Sequence, residues 1–243
     1  MTTTPTHPTA TPPARPASTQ RRLGLQRIGG IAGLLAAGTF VFGIAMFATS
    51  MADYTDPDAT PADSVAFLVD HQGALLAWYL GIFVVFGAAL VPLGLAVHDR
   101  LRGSAPILAR TATVFAMIWA GLMFATGMIS NIGIEVVADL AETDVSQATA
   151  VWSSIDAVTN GLGGGNELVG GIWVLLVSIA AWSSRLLPRW LNVVGIVSAV
   201  AGVATVIPAA EAIEMVFGLG LIVWFVGIGA FLFRSGRAPV DAA

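Results

Sequence analysis

Six stretches of this chain carry a single charge between them. They are residues 28–51, 73–97, 111–134, 160–182, 190–207 and 215–233, and Glu167 is the only charged side chain in any of them. A bilayer's hydrocarbon is about 30 Å thick and takes about 20 helical residues to cross. In lipid only helices and closed barrels satisfy every backbone hydrogen bond. Apolar runs of this length predict an all-α polytopic membrane protein, a six-transmembrane-helix bundle.

The arginines test that count. All eleven basic residues are Arg. Arg15, Arg21, Arg22 and Arg27 precede the first run, and Arg100, Arg102 and Arg110 flank the second connection. Arg185 and Arg189 flank the fourth, and Arg234 and Arg237 follow the last run. With six crossings all eleven fall on one side, which the positive-inside rule makes cytoplasmic. Of fifteen acids only Asp99 and Asp241 share it. The expected placement is therefore the cell (plasma) membrane, with both termini in the cytoplasm.

Composition excludes several classes. Charged residues make up 11% and mean hydropathy is +0.82, against about 25% charged in soluble domains. An ordinary soluble domain, a disordered protein and a nucleic-acid binder are excluded. Without Cys there are no disulfides, thiolate catalysis, Fe–S clusters or Cys-ligated zinc. Without Lys a retinal Schiff base cannot form. His7, His71 and His98 are placed too far apart to ligate one haem. No cofactor is expected; calcium or magnesium would be the metals suited to oxygen ligands.

Residues 1–22 are Thr/Pro-rich, with seven Thr and five Pro in the first twenty positions, and read as a disordered cytoplasmic tail. Residues 23–236 form the membrane domain and 237–243 a short tail. The first run competes with a signal peptide ending near Ser50-Met51-Ala52, but its length favours an uncleaved anchor. The two long outer connections are residues 52–72 and 135–159. In the second, Asp144 as N-cap and the spacing of Val145, Ala148, Trp152, Ile155 and Thr159 suit a helix along the interface, with Trp152 at headgroup depth. A simple extension of the third span or a covering loop fits equally. Gly29, Gly33, Ala37, Gly195, Ala199 and Gly202 permit close helix approach.

Polar residues gather at one level. Counting from the arginines, Glu167 lies roughly 27 Å, Glu214 roughly 30 Å and Asn131 roughly 32 Å away along their helices. They reach the outer hydrocarbon boundary with Asn166, while Glu135, Glu211 and His71 sit just above it. Residues 160–165, rich in Gly, oppose a regular helix and read either as a re-entrant segment lining a cavity or as a packing hinge. Glu211 and Glu214 share a helix face and either stabilise its N-terminus or face Glu167. The ligand-binding candidates are Asn131, Glu135, Asn166, Glu167, Glu211, Glu214 and His71; if the protein is an enzyme, Glu167 and Glu214 are the catalytic candidates.

The run Gly163-Gly164-Gly165-Asn166-Glu167-Leu168-Val169-Gly170-Gly171-Ile172-Trp173 is followed by Leu186-Leu187-Pro188-Arg189-Trp190-Leu191 and then by Phe217-Gly218-Leu219-Gly220-Leu221-Ile222-Val223-Trp224-Phe225. Leu90-Val91-Pro92-Leu93-Gly94-Leu95 precedes Arg100-Leu101-Arg102. In this order the segments resemble the bacterial membrane family called domain of unknown function 4386, over about residues 27–234. The resemblance implies a small multi-span membrane protein and carries over no catalytic residue.

Three functions remain. The first is a non-enzymatic membrane protein whose outward acidic pocket binds a cation, a cationic small molecule or a lipid headgroup, or a membrane partner or second copy of itself. The second is an enzyme using a boundary carboxylic acid as general acid on a lipid or isoprenoid. The third is a transporter, disfavoured by the lack of charge at mid-membrane.

Overall fold

The computed structural model of the protein describes residues 17–51, 60–162, 167–205 and 211–236, with all of their side chains except those of 17–19, 21, 211, 212 and 214. Every regular element among them is helical. These are α1 (Ala17–Thr49), α2 (Pro61–Asp70), α3 (Gln72–Tyr79), a π-helical turn Leu80–Val85 continuing into α4 (Phe86–Leu101), α5 (Pro106–Ala141), α6 (Val145–Gly161), α7 (Glu167–Ser184), α8 (Arg189–Ala204) and α9 (Glu211–Ser235).

Local chemistry sets the boundaries. Pro61 and Pro106 sit in the first turns of α2 and α5, where a missing N–H costs nothing. Asp144 caps α6 by accepting from the Gln147 amide at 3.0 Å, so the outer connection does hold the helix that its spacing suggested. At α2, Thr60 Oγ1 accepts from the Asp63 amide at 3.3 Å, and Asp63 accepts from the Thr60 amide at 2.8 Å. The Thr60 hydroxyl also donates to the Asp63 carboxylate at 2.6 Å; this bond first and the Thr60 amide bond second hold the Asp63 carboxyl below its ordinary range. A lowered folded pKa stabilises α2 above the ordinary carboxylate range, and that stability is lost as pH falls below about 4. Asp63→Ala is therefore expected to speed amide exchange at residues 63–65 at neutral pH; exchange unchanged from wild type would contradict the cap.

Among the described residues five helices are long and apolar enough to cross a membrane: Arg22–Thr49, Gln72–Leu101, Pro106–Ala141, Glu167–Ser184 and Met215–Ser235. The run expected over residues 190–207 is helical over Arg189–Ala204, about 24 Å of helix. The fourth crossing starts at Glu167 rather than at Asn160, because Asn160 and Gly161 complete α6 instead. At the N-terminus, α1 begins at Ala17, inside the segment expected as tail; residues 1–16 lie outside the described residues.

Six helices form a closed ring in chain order, α1, α4, α5, α7, α8, α9 and back to α1. Neighbours run antiparallel. Gly29 of α1 meets Ala96 of α4 while Gly43 meets Ile82, and Gly94 meets Ala116 of α5 while Gly87 meets Ala120. Farther round, Gly171 of α7 meets Ala199 and Gly195 of α8 meets Ser178. The ring closes where Gly30 meets Phe233, Gly33 meets Gly229 and Gly236 meets Arg27, so both ends of the described chain lie at one end of the bundle. The glycines singled out at 29, 33, 195 and 202 are all points of close helix approach.

Aromatic rings fill the centre. Trp119, Trp173, Trp224, Phe86 and Phe225 are fully buried. Trp173 stands 5.9 Å from Trp119, 5.3 Å from Trp224 and 6.2 Å from Phe225, and Phe86 stands 5.0 Å from Trp119. The outer surface of the ring is apolar, with Ile31, Val41, Val114, Val197 and Leu219 all exposed. Such a surface suits lipid as solvent. At the acid-bearing end, α2, α6 and the last turns of α5 form a second core around Leu68, Ile134, Val137 and Trp152. Trp152 is buried in that cap, where Ala148 and Trp152 turn the apolar face of α6 onto α5.

Candidate functional site

Between the aromatic centre and the helical cap lies a chamber of about 220 Å³, lined by α1, α3, the π-helical turn, α5, α7 and α9. It occupies the half of the bundle away from the arginines: Phe47 stands near the end of α1, Glu167 opens α7 and Phe217 lies near the start of α9. Phe40 forms its floor and joins it to the aromatic centre, 5.4 Å from Phe86 and 6.1 Å from Phe225.

Aromatic faces dominate the walls. Phe40, Phe47, Trp78, Phe83 and Phe217 all contribute. Phe47 meets Trp78 edge-on at 5.1 Å, and Phe83 meets Trp78 edge-on at 5.9 Å. The π-helical turn places Ile82 and Phe83 here; an extra residue in one turn re-aims the side chains that follow and recurs at functional positions. The Trp78 Nε1 proton is buried with no acceptor among the described residues. It faces the side where Gly43 lacks a Cβ, which would stand 3.7 Å away.

Among the described lining residues Glu167 is the one charge. It is half-buried in the first turn of α7, where the helix dipole favours an anion. Gly202 fixes the depth of this turn: a Cβ there would stand 2.8 Å from the Glu167 carbonyl oxygen and 2.6 Å from the Phe217 ring. Gly218 leaves the opposite wall open, with nothing within 4 Å of an added Cβ.

The other candidates lie elsewhere. Asn131 is half-buried on α5, with Oδ1 lacking a partner among the described residues, and it does not line the chamber. Glu135 is exposed on α5. His71 is exposed between α2 and α3, with Nδ1 3.1 Å from the Phe67 carbonyl oxygen and its ring stacked on Phe67 at 4.1 Å. Asn166 lies outside the described residues, as do the side chains of Glu211 and Glu214. Among the described residues no group of three or more His, Asp or Glu converges as a metal site would require. Reading the sequence for charge found Glu167 but passed over Phe47, Trp78, Phe83 and Phe217, whose helical spacing resembles ordinary lipid-facing or core packing.

A chamber with one carboxylate among several aromatic faces has a defined chemistry. Aromatic faces attract cations, by up to about 2 kcal/mol or more when water is excluded. The carboxylate supplies the countercharge. The volume lies just under the roughly 300–1,000 Å³ of drug-sized sites, so a compact ligand fits.

The family model described as domain of unknown function (DUF4386) matches residues 31–236. Neither the curated proteins nor the solved structures give a match.

Proposed function

We propose a function for this chain, which belongs to the DUF4386 family, from its own geometry: it is a cell-membrane protein that binds a compact organic cation, such as a quaternary or tertiary amine, in an outward-facing chamber. The observation that carries this reading is the pairing of Glu167 with the rings of Phe47, Trp78, Phe83 and Phe217 in one chamber. A bare metal ion would prefer several oxygens, whereas an alkylated ammonium suits aromatic faces and one carboxylate.

The orientation belongs to the same proposal. Six crossings, with both termini in the cytoplasm, place every arginine inside and the chamber near the outer boundary. In this arrangement α8 is the fifth crossing and completes the count of six, because it runs antiparallel along both α7 and α9. A helix a few ångströms short of the hydrocarbon thickness carries only a modest mismatch cost. The buried aromatic centre beneath the chamber favours a closed binding site over a through-going pore.

Calorimetric titration of the purified full-length protein with choline tests the reading. Choline is expected to bind, and its uncharged isostere 3,3-dimethylbutanol is not. Glu167→Gln is expected to weaken choline binding by about 30-fold or more, the usual scale for removing one partner of a desolvated charge pair. Gly218→Phe is expected to fill the open wall and abolish binding while the protein stays folded. Equal affinity for the charged and uncharged probes, or full affinity in Glu167→Gln, would refute the proposal.

A further inference from the structure

We propose that the groove between α1 and α4 at the arginine-bearing end of the bundle is a binding site for an anionic phospholipid whose headgroup carries a hydroxyl. Two depressions of about 560 Å³ and 770 Å³ adjoin there, and both are lined by Arg22, Asp99 and Arg102. Arg100 lines the first, its guanidinium 5.4 Å over the Phe231 ring. Asp99 is engaged by Arg102 at 2.9 Å, so three guanidinium groups face one carboxylate and the groove keeps an excess of positive charge. That excess suits a phosphate.

Gln26 supplies the second requirement. It lines the groove, is only 5% exposed and donates through Nε2 to the Ala96 carbonyl oxygen at 3.0 Å. Its Oε1 is buried without a partner among the described residues. A buried acceptor beside guanidinium groups calls for a ligand that brings a donor as well as a phosphate. A hydroxylated headgroup provides both.

The walls decide between a lipid and a free phosphate. The second depression runs from Arg22 and His98 onto Leu25, Ile28 and Leu95. Ile28 is 55% exposed and Leu95 is 44% exposed, on the surface that faces the acyl chains. The site therefore passes from charge to hydrocarbon in the order that a phospholipid does. His98 is tied to α5, its Nδ1 2.9 Å from Thr113 Oγ1 and 3.2 Å from the Ala109 carbonyl oxygen.

Native mass spectrometry and thermal unfolding of the full-length protein with defined lipids provide the test. Phosphatidylglycerol is expected to bind and to raise Tm, dioleoylglycerol, a neutral lipid with a hydroxyl but no phosphate, is not, and phosphatidylmethanol, with the same charge but no hydroxyl, is expected to bind more weakly. Arg22→Gln with Arg100→Gln should weaken phosphatidylglycerol binding about 30-fold. Gly24→Leu, at a position with open space around an added Cβ, should weaken it with every charge retained. Arg185→Gln with Arg189→Gln, on the far side of the same end, should leave it intact. The proposal fails if dioleoylglycerol binds equally, if the two double variants lose binding equally, or if inorganic phosphate or glycerol 3-phosphate reproduces the rise in Tm. Glu167 is untouched in all these variants, so failure here leaves the cation chamber standing.

Discussion

Trp173→Ala is expected to remove about 3 kcal/mol or more from the stability of the folded protein, the range for deleting a large buried ring. Trp173 is fully buried and touches Trp119, Trp224 and Phe225 across three helices. Lipid tails are as apolar as the core, so expulsion from water does not drive association inside a bilayer. The stabilisation comes from close packing, and alanine leaves a void with no atoms to fill it. Trp190→Ala is the control. Trp190 is 56% exposed at the arginine-bearing end, and its loss is expected to change stability by no more than about 0.5 kcal/mol. Unfolding of detergent-solubilised protein checks the pair; equal losses would mean that the aromatic centre does not hold the ring together.

Gly229→Leu is expected to abolish folding rather than weaken it. A Cβ at Gly229 would stand 2.9 Å from the Leu34 amide nitrogen and 3.0 Å from the Gly30 carbonyl oxygen. Both are backbone atoms of α1, so neither can rotate away, and α1 and α9 would have to separate where the ring closes. Gly38→Leu lies on α1, across that seam, with nothing within 4 Å of an added Cβ. It should fold normally and gain up to about 1 kcal/mol from helix propensity. Yield of monodisperse protein on size exclusion separates the outcomes; a well-folded Gly229→Leu would contradict the close approach.

Much of this architecture was legible because lipid imposes simple requirements. Length and apolarity marked the crossing helices, and Asp144 marked the start of α6. The glycines at 29, 33, 195 and 202 signalled close approach, though not which helices approach. Three features had no local signal. The helix α2 is only ten residues long and relies on Thr60 and Asp63, a cap pairing less distinctive than Ser/Thr with Glu. The π-helical turn at Leu80–Val85 adds a residue to one turn without altering composition. The cap that buries Trp152 depends on α5 extending to Ala141, past the apolar run that marked its crossing. The site was half legible for a related reason. A carboxylate in an apolar run stands out, but the rings that line the chamber with Glu167 come from separate helices and are recognisable only once α1, α3, α7 and α9 are brought together.

Thiol accessibility tests the six-crossing arrangement most directly, and the absence of native Cys makes each introduced thiol unique. Thr143→Cys lies between α5 and α6, Ser104→Cys lies between α4 and α5, and both positions are exposed; Ala243→Cys marks the C-terminus. With a membrane-impermeant maleimide on intact cells, Thr143→Cys is expected to react, and Ser104→Cys and Ala243→Cys only after permeabilisation. Labelling of Ala243→Cys in intact cells with Ser104→Cys protected would mean an odd number of crossings, and labelling of Ser104→Cys with Thr143→Cys protected would turn the chamber inward; either result would contradict the account.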